Sequence, residues 1–319
     1  MPSTFTLFDP SALRQASRAN AADAALAFLH PPQDFTPAPE WTQFLARWCE
    51  PGQVTPQVGT LGTSEAREIV ALHAGLVLRS VFQPIFSSSP LQPVAFEALV
   101  RAQSVQSGHT VSPDALFARP CTPSQGVLLD RMCRFIHLLN FERQAPASAA
   151  LYVNVATVHL QALKQGQHGA FMSAMQSLCP FALSRIIMEI TETQFDDRDA
   201  LSEIVQTFKR RGYRVAIDDF GARHSNFDRL WALTPDIVKI DRELLLQADN
   251  HARVRQILPK VVDIIHDLDA FVVCEGIETR QQHALAVDSG VDLVQGYFFA
   301  RPARDMALAN QCQKLVITP

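Results

Sequence analysis

Acidic or amide side chains recur at or near the ends of short apolar runs along this chain. These side chains belong to Glu97, Asn154, Glu189 with Glu192, Asp218 with Asp219, Asp241, Glu275 with Glu278, and Gln295. Carboxylates gathered in one mostly buried site are costly unless something neutralises them. Lys239 and Arg101 supply too little positive charge for that many carboxylates, so a divalent cation, or two, is expected. Oxygen ligands without His or Cys favour Mg²⁺, Mn²⁺ or Ca²⁺ over Zn²⁺.

The apolar runs alternate with helical stretches from about Ser64 onward. The predicted strands are Leu78–Phe86, Val94–Arg101, Leu151–Val155, Ile186–Ile190, Arg214–Ile217, Ile237–Ile240, Phe271–Cys274 and Leu293–Val294. Helical patterns lie between most of them, for example over Leu201–Arg211 and Val254–Leu268. This alternation predicts an α/β fold with a mostly parallel sheet.

The length of this region, about 240 residues, is close to that of a (β/α)8 barrel. A doubly wound open sheet is the structural alternative, and periodicity alone does not separate the two. In a parallel barrel the carboxyl ends of the strands form the active-site face, so the polar groups would meet there. Because side chains alternate along a strand, Glu97, Leu99 and Arg101 share one face of theirs.

The first part of the chain has a different composition. An Ala-rich helix is predicted over residues 9–30, followed by a proline-rich connector and a second short helix holding Trp41, Phe44 and Trp48. Residues 51–63 are typical of a linker. We therefore expect a small, mainly helical N-terminal segment with its linker over residues 1–64 and the barrel over residues 65–319. We expect the aromatic residues of the segment to pack locally or on the barrel, and binding of a protein partner is the alternative.

Composition excludes several classes of protein. The chain has 319 residues, of which 47% are hydrophobic and 19% charged, with a net charge of −4. Such a chain is not disordered, and it has no basic excess for binding a DNA or RNA polymer or a membrane surface. No two of its six cysteines are spaced as C-x-x-C, so neither a zinc ribbon nor a thioredoxin-like pair is expected. Single cysteines scattered along a chain of this length indicate reduced thiols. With neither a signal peptide nor a membrane span in the pattern, we expect a cytoplasmic protein.

The order of the motifs resembles one known family. The segments that carry the resemblance are Phe82-Gln83-Pro84-Ile85, Glu97-Ala98-Leu99-Val100-Arg101, Val111-Ser112-Pro113-Asp114, Val153-Asn154-Val155, Glu189-Ile190-Thr191-Glu192, Asp218-Asp219-Phe220-Gly221, Val238-Lys239-Ile240-Asp241, Glu275-Gly276-Ile277-Glu278-Thr279 and Gln295-Gly296-Tyr297-Phe298. In this order they resemble the EAL family of cyclic-di-GMP phosphodiesterases, from about residue 66 to 305.

The resemblance implies a TIM-like (β/α)8 barrel whose first strand is antiparallel to the others. It also implies hydrolysis of cyclic di-GMP to linear pGpG at a two-metal site holding Mg²⁺ or Mn²⁺. The implied ligands are Glu97, Asn154, Glu189 and Asp218 for one ion, and Asp218, Asp219 and Glu275 for the other. Two such cations would stabilise charge on both the attacking and the leaving oxygen.

The resemblance also implies roles for the remaining residues. Lys239 would orient the attacking water, and Glu275 is the candidate general base. Glu192 would brace the loop after Asp219, whereas Glu278 and Gln295 would support the ligands. The residues implied to contact the nucleotide are Gln83, Leu99, Arg101 and Asp241, and a homodimer through the barrel is a further implication.

One loop departs from the family pattern. After Gly221 the family usually continues A/T-G-Y-S-S-L, whereas this chain has Arg223 and His224 in place of the glycine and the aromatic residue. A glycine there often supplies a backbone shape that arginine adopts poorly. Neutral drift, weakened metal binding and altered dimer contact are the alternatives. The functional alternative to a phosphodiesterase is therefore a catalytically weak or inactive EAL domain that acts as a cyclic-di-GMP receptor or a protein-interaction module.

Overall fold

The computed structural model describes residues 31–62, 67–164, 170–178, 181–191, 197–222 and 227–307. The chain forms two compact units: Met1–Arg79 with Val100–Ile136, and Ser80–Leu99 with His137–Pro319. The helix predicted over residues 9–30 lies outside the described residues.

The first unit is built on an antiparallel meander. Its elements are β1 (Phe35–Pro37), α1 (Pro39–Ala46), β2 (Gln57–Leu61), β3 (Glu68–His73), the start of β4 (Leu76–Ser87), the end of β5 (Pro93–Ser104), β6 (Thr110–Val111), α2 (Pro113–Phe117) and the start of α3 (Pro123–Gln144). Strands β1 to β4 pair in chain order. Their apolar side chains form a cluster of Phe35, Leu61, Val70, Leu72 and Val77.

The predicted short helix is confirmed for Trp41 and Phe44 as α1, with Pro39 in its first turn and Phe44 and Leu45 buried. It is wrong for Trp48, which lies in the turn after the helix ends at Ala46. The linker predicted over residues 51–63 is wrong over Gln57–Leu61. Those residues form β2 because Val58 and Leu61 are buried when the strand pairs with β3. The domain boundary between residues 64 and 65 stays a prediction.

The second unit is a closed barrel. The strands that complete it, after the parts of β4 and β5 that belong to this unit, are β7 (Ala150–Asn154), β8 (Ile186–Thr191), β9 (Arg214–Phe220), β10 (Ile237–Ile240), β11 (Phe271–Cys274) and β12 (Leu293–Val294). Each of these strands lies parallel to its neighbours from β5 through to β12. Strand β4 lies antiparallel to β12 and also pairs with β5, which closes the ring. The predicted barrel with an antiparallel first strand is confirmed, and the open doubly wound sheet is wrong.

Helices connect the parallel strands. In the described parts of the chain they are the rest of α3, α4 (Thr157–Lys164), α5 (Ala170–Leu178), α6 (Arg198–Arg210), α7 (Phe227–Leu233), α8 (Arg242–Asn250), α9 (Ala252–His266) and α10 (Arg280–Asp288). The sequence of α6 explains why this segment is helical. Asp197 caps its first turn by accepting from the Ala200 N–H, and its buried residues recur at helical spacing from Leu201 to Phe208. No helix in the described ranges is long and apolar enough to cross a membrane.

Candidate active site

The barrel core contains one layer of apolar side chains contributed strand by strand. Its members are Ile85, Ala95, Tyr152, Ile187, Ala216, Ile237 and Val273, one from each of β4, β5, β7, β8, β9, β10 and β11, and Leu293 of β12 packs against them. Because side chains alternate along a strand, the residue two positions further on points to the same side of the barrel wall.

The predicted site residues lie at these next positions. Two residues after the core layer on the parallel strands come Glu97, Asn154, Glu189, Asp218, Lys239, Glu275 and Gln295. Strand β4 runs the opposite way, and there Gln83 lies two residues before Ile85. The site is therefore the layer directly above the apolar core, at the carboxyl ends of the parallel strands.

Lys239 lies at the centre of this layer. Its side chain is only 1% exposed, and its ammonium nitrogen lies 2.5 Å from Glu189 Oε1 and 2.5 Å from Glu275 Oε1. Asp218 Oδ1 lies 3.2 Å and Glu97 Oε2 3.7 Å from the same nitrogen. One buried positive charge therefore faces four carboxyl groups from four other strands or strand ends.

This arrangement shifts the protonation equilibria of the cluster. Burial lowers the pKa of Lys239, but the carboxylates of Asp218, Glu189 and Glu275 outweigh it and raise the pKa well above its usual value. Burial raises the pKa of Glu189 and of Glu275 well above the usual range, although the ammonium opposes this shift. Lys239 therefore stays protonated, and the carboxyl groups of Glu189 and Glu275 retain protons to higher pH than free ones.

Glu189 has the most buried carboxyl group of the set. Its side chain is fully enclosed, and neither of its oxygens makes a hydrogen bond of good geometry among the described residues, although Oε1 lies close to the ammonium. A buried carboxylate without such partners is costly, which makes it a natural ligand for a cation.

Asp219 follows Asp218 but reaches its position through an unusual backbone. Its φ is +59°, in the left-handed region, and the Asp219 N–H donates to Asp218 Oδ1 at 3.0 Å. Burial, with Asp218 and Asp241 nearby, raises the pKa of Asp219 to about 6. Left-handed residues of this kind concentrate at functional sites.

Asn154, the last residue of β7, is exposed at the end of its strand.

A cavity of about 230 Å³ opens beside the carboxylates. Gln83, Glu97, Arg242, Glu275, Glu278 and Gln295 line it. Gln295 donates from Nε2 to Glu97 Oε2 at 2.8 Å, while its Oε1 is buried without a partner among the described residues. Gln83 is buried and donates to the Ala300 carbonyl at 3.4 Å.

Two lining residues were not singled out by the sequence analysis. Arg242 pairs with Glu278 at 2.8 Å, and the ring of Tyr297 carries the Arg301 guanidinium 4.2 Å above its centroid. The signal that could have found them is position, since Arg242 follows Asp241 directly and Tyr297 follows Gln295-Gly296. Gly296 is required at its place because a Cβ would meet the Ile277 carbonyl at 2.0 Å.

The remaining predicted residues lie near strand ends or outside the described ranges. Asp241 caps α8, with Oδ1 accepting from the Glu243 N–H at 2.7 Å. Leu99 is half-buried on β5, and Arg101 donates from Nη1 to the Val100 carbonyl at 2.9 Å. Glu192 and the departing residues Arg223 and His224 lie outside the described residues.

The donor set fits hard divalent cations. In the described part of the chain no three Asp, Glu, His or Cys side chains form a ready-made metal group; the ammonium of Lys239 lies among the carboxylates instead. Four carboxyl groups and one ammonium nevertheless leave excess negative charge, and Glu189 Oε2 is buried without a hydrogen-bond partner among the described residues. Oxygen donors of this kind suit Mg²⁺, Mn²⁺ or Ca²⁺.

Comparison with curated sequences finds relatives of this chain. The chain is 27% identical over 231 residues to the Probable cyclic di-GMP phosphodiesterase PdeN of Escherichia coli (strain K12), covering 69% of this chain and 42% of PdeN. The chain therefore spans less than half the length of this relative.

Solved structures share the fold. The Bacillus subtilis YkuI protein, with an EAL domain, in complex with substrate c-di-GMP and calcium, is 22% identical, with a TM-score of 0.63 over 74% of this chain and 60% of YkuI. Klebsiella pneumoniae BlrP1, in a manganese and cyclic-di-GMP complex, is 22% identical, with a TM-score of 0.63 over 83% of this chain and 66% of BlrP1. The solved relatives thus hold divalent cations.

The family model described as EAL domain matches residues 70–302. The match covers more than half of the chain and includes the whole layer of polar residues from Gln83 to Gln295. The chain belongs to the EAL domain family.

Proposed function

We propose that this chain hydrolyses one phosphodiester bond of cyclic di-GMP to give linear pGpG, using two divalent cations, Mg²⁺ or Mn²⁺. The observation that carries the proposal is the single layer of carboxyl groups around buried Lys239 at the carboxyl ends of the barrel strands. The substrate is supported by the similarity to PdeN, a probable cyclic di-GMP phosphodiesterase, and by the structures of YkuI and BlrP1 in complex with cyclic di-GMP. The calcium and manganese of those two complexes support a divalent cation.

The proposed metal ligands follow the strand order. Glu97, Asn154, Glu189 and Asp218 would hold one ion, and Asp218, Asp219 and Glu275 would hold the second, with Asp218 shared. When bound, the two cations would neutralise charge on the attacking and leaving oxygens and lower the pKa of water.

The chain's own groups would prepare the attacking water. Because the pKa of Lys239 lies well above its usual value, its ammonium is a hydrogen-bond donor that orients the water rather than a base. Glu275 Oε1 lies 2.5 Å from that ammonium and has a raised pKa. It is therefore the proposed general base, with Gln295 and Glu278 supporting the surrounding side chains.

Nucleotide contacts are proposed for Gln83, Leu99, Arg101 and Asp241. The planar fork of Arg101 matches two phosphate oxygens. Since Asp241 Oδ1 is used to cap α8 and Gln83 Nε2 donates to Ala300, the second oxygen of Asp241 and the amide oxygen of Gln83 are the atoms available to a ligand. Glu192 is proposed to brace the loop after Asp219.

Assembly and location are proposals from the sequence. They are a homodimer through the barrel, a protein partner for the N-terminal segment, and a location in the cytoplasm with no DNA or RNA polymer and no membrane as partner.

Incubation of the purified full chain with cyclic di-GMP and Mg²⁺ or Mn²⁺, with products separated by chromatography, tests the activity. We expect pGpG, none of it in the presence of a chelator, and inhibition by Ca²⁺, which prefers longer bonds and looser geometry. A matched control is Asp263→Asn, an exposed carboxylate on α9, which should leave turnover unchanged.

The competing function is a receptor or interaction module without turnover. The sequence Arg223-His224, where the family usually has a glycine and an aromatic residue, is the observation that favours it. Saturable binding of cyclic di-GMP without pGpG under both Mg²⁺ and Mn²⁺ would replace the phosphodiesterase with this alternative.

A further inference from the structure

A second cavity, of about 360 Å³, lies within the first unit and shares no lining residue with the cavity beside the carboxylates. Three separate stretches of chain line it: the turn at residues 52–54, the β3–β4 hairpin, and the segment from α2 into α3. Its volume falls within the range of small-molecule sites.

Buried leucines form the largest part of its wall. Leu76, Leu78, Leu116, Leu128 and Leu129 line the cavity, and none is more than 4% exposed. An apolar wall of this kind favours an apolar ligand body, because moving such a body out of water is favourable in proportion to its area.

Three other lining residues carry a buried nitrogen without a hydrogen-bond partner among the described residues. These atoms are Gln53 Nε2, His73 Nδ1 and Arg119 Nη1. Buried polar atoms are nearly always paired, so three on the wall of one cavity call for an explanation.

Two of the three atoms can only donate. Arginine has no acceptor. Gln53 Oε1 already accepts from the Glu50 N–H at 2.8 Å, which fixes Nε2 as its remaining donor. A ligand in this cavity should therefore supply acceptor oxygens to Gln53 and Arg119. The positive charge of the guanidinium favours a ligand whose acceptor oxygens are negatively charged.

We propose that this cavity binds a small carboxylic acid with an apolar chain. The carboxylate pairs with Arg119 and Gln53, and the chain lies against the leucines. The volume corresponds to about 12 groups the size of a water molecule, which suits a straight-chain acid of about eight to ten carbons. An amine of the same length is repelled by Arg119, and an alcohol lacks the charge.

Calorimetric titration of the full chain with decanoate, 1-decanol and decylamine, each below its micelle concentration, tests the proposal. We expect saturable 1:1 binding of decanoate, binding of the alcohol weaker by about tenfold or more, and no saturable binding of the amine. Equal binding of decanoate and decylamine, or no binding of any of the three, overturns it.

A pair of variants locates the binding. Arg119→Met keeps a flexible unbranched stem but removes the guanidinium and its charge, and should weaken decanoate binding about tenfold or more. Arg47→Met removes an exposed arginine of the same unit that does not line the cavity, and should leave binding unchanged. Equal affinity for decanoate in both variants would overturn the assignment, and if Arg119→Met does not fold, the head-group series on the unaltered chain decides.

Discussion

Lys239 has surroundings that are unusual for a lysine. A lysine is seldom fully buried, and here the ammonium is surrounded by carboxyl groups of Glu97, Glu189, Asp218 and Glu275. Removing one partner from a buried ion pair commonly costs about 3–5 kcal/mol, because the remaining charge is left uncompensated. Lys239 therefore stabilises the carboxyl cluster in the absence of a cation, in addition to its proposed role in the chemistry.

Lys239→Met should lower the melting temperature strongly in the absence of metal, since the carboxyl groups then repel one another. Added Mn²⁺ should restore part of the loss because a cation takes over the neutralisation. Calorimetry with and without Mn²⁺ measures both effects. Lys260→Met, on an exposed position of α9, is the control, and an equal loss for Lys239→Met with and without Mn²⁺ would contradict this account.

Substitutions of the proposed metal ligands and of the proposed nucleotide-binding residues should have different effects on turnover and on nucleotide affinity. Glu97→Ala and Asp218→Ala should each lose bound metal and nearly all turnover. Arg101→Ala should mainly weaken nucleotide affinity, because it removes a contact made in ground and transition states alike. Metal content, turnover and nucleotide titration are the measurements, and unchanged affinity in Arg101→Ala would remove that residue from the site.

His73 should make stability depend on pH. Burial lowers its pKa to about 4 in the folded chain, against about 6.5 when unfolded. Protonation therefore favours the unfolded state, and stability present above pH 6.5 is lost as the pH falls toward 4, by up to about 3 kcal/mol. Urea titrations across this range should show a larger loss of stability toward pH 4 in the wild type than in His73→Gln. The same loss in both would refute this assignment, and the exposed His109→Gln is the control.

At the scale of elements, strand register decides which side chains meet. A slip of one residue would turn every site side chain to the other face of its strand. The apolar layer from Ile85 to Val273 prevents this, because the slip would also expose that layer. Burial in one layer thus holds the polar layer above it in register.

The β3–β4 turn offers a test of element stability. Ala74 and Gly75 both have positive φ, +49° and +76°, as a tight hairpin turn of this hand requires. Ala74→Gly should raise stability by roughly 0.5–1 kcal/mol because glycine adopts this conformation without a Cβ clash. Gly75→Ala should act in the opposite direction. Thermal unfolding of both variants checks the pair, and destabilisation by Ala74→Gly would show that the turn is unstrained.

At the scale of the whole molecule, Arg223 and His224 follow Asp218 and Asp219, two of the proposed metal ligands, and precede helix α7 in the sequence. Side chains that support metal ligands typically change affinity or activity about 10–100-fold when altered. A double variant, Arg223→Gly with His224→Tyr, should therefore lower the Mg²⁺ requirement, raise turnover and tighten a dimer. The measurements are turnover as a function of Mg²⁺ concentration and the mass by light scattering. If neither the Mg²⁺ dependence nor the mass changes, the two residues are neutral drift.

The sequence by itself determined the elements of the barrel and the residues at their ends. Strands β10, β11 and β12 begin and end at the predicted residues, because apolar runs bounded by polar residues are local signals. The order of motifs from Gln83 to Gln295 likewise identified the family before any distance was known.

Only the tertiary structure decided how these residues meet. Closing the ring brings Lys239 against carboxyl groups that lie up to 142 positions away in the chain, as with Glu97. Three further features also depend on contacts between distant segments. They are the pairing that makes residues 57–61 a strand, the left-handed backbone of Asp219, and the cavity lined by Arg119, Gln53 and His73. Local patterns encode which face a residue occupies, whereas these contacts depend on packing between distant segments, which no short window of sequence contains.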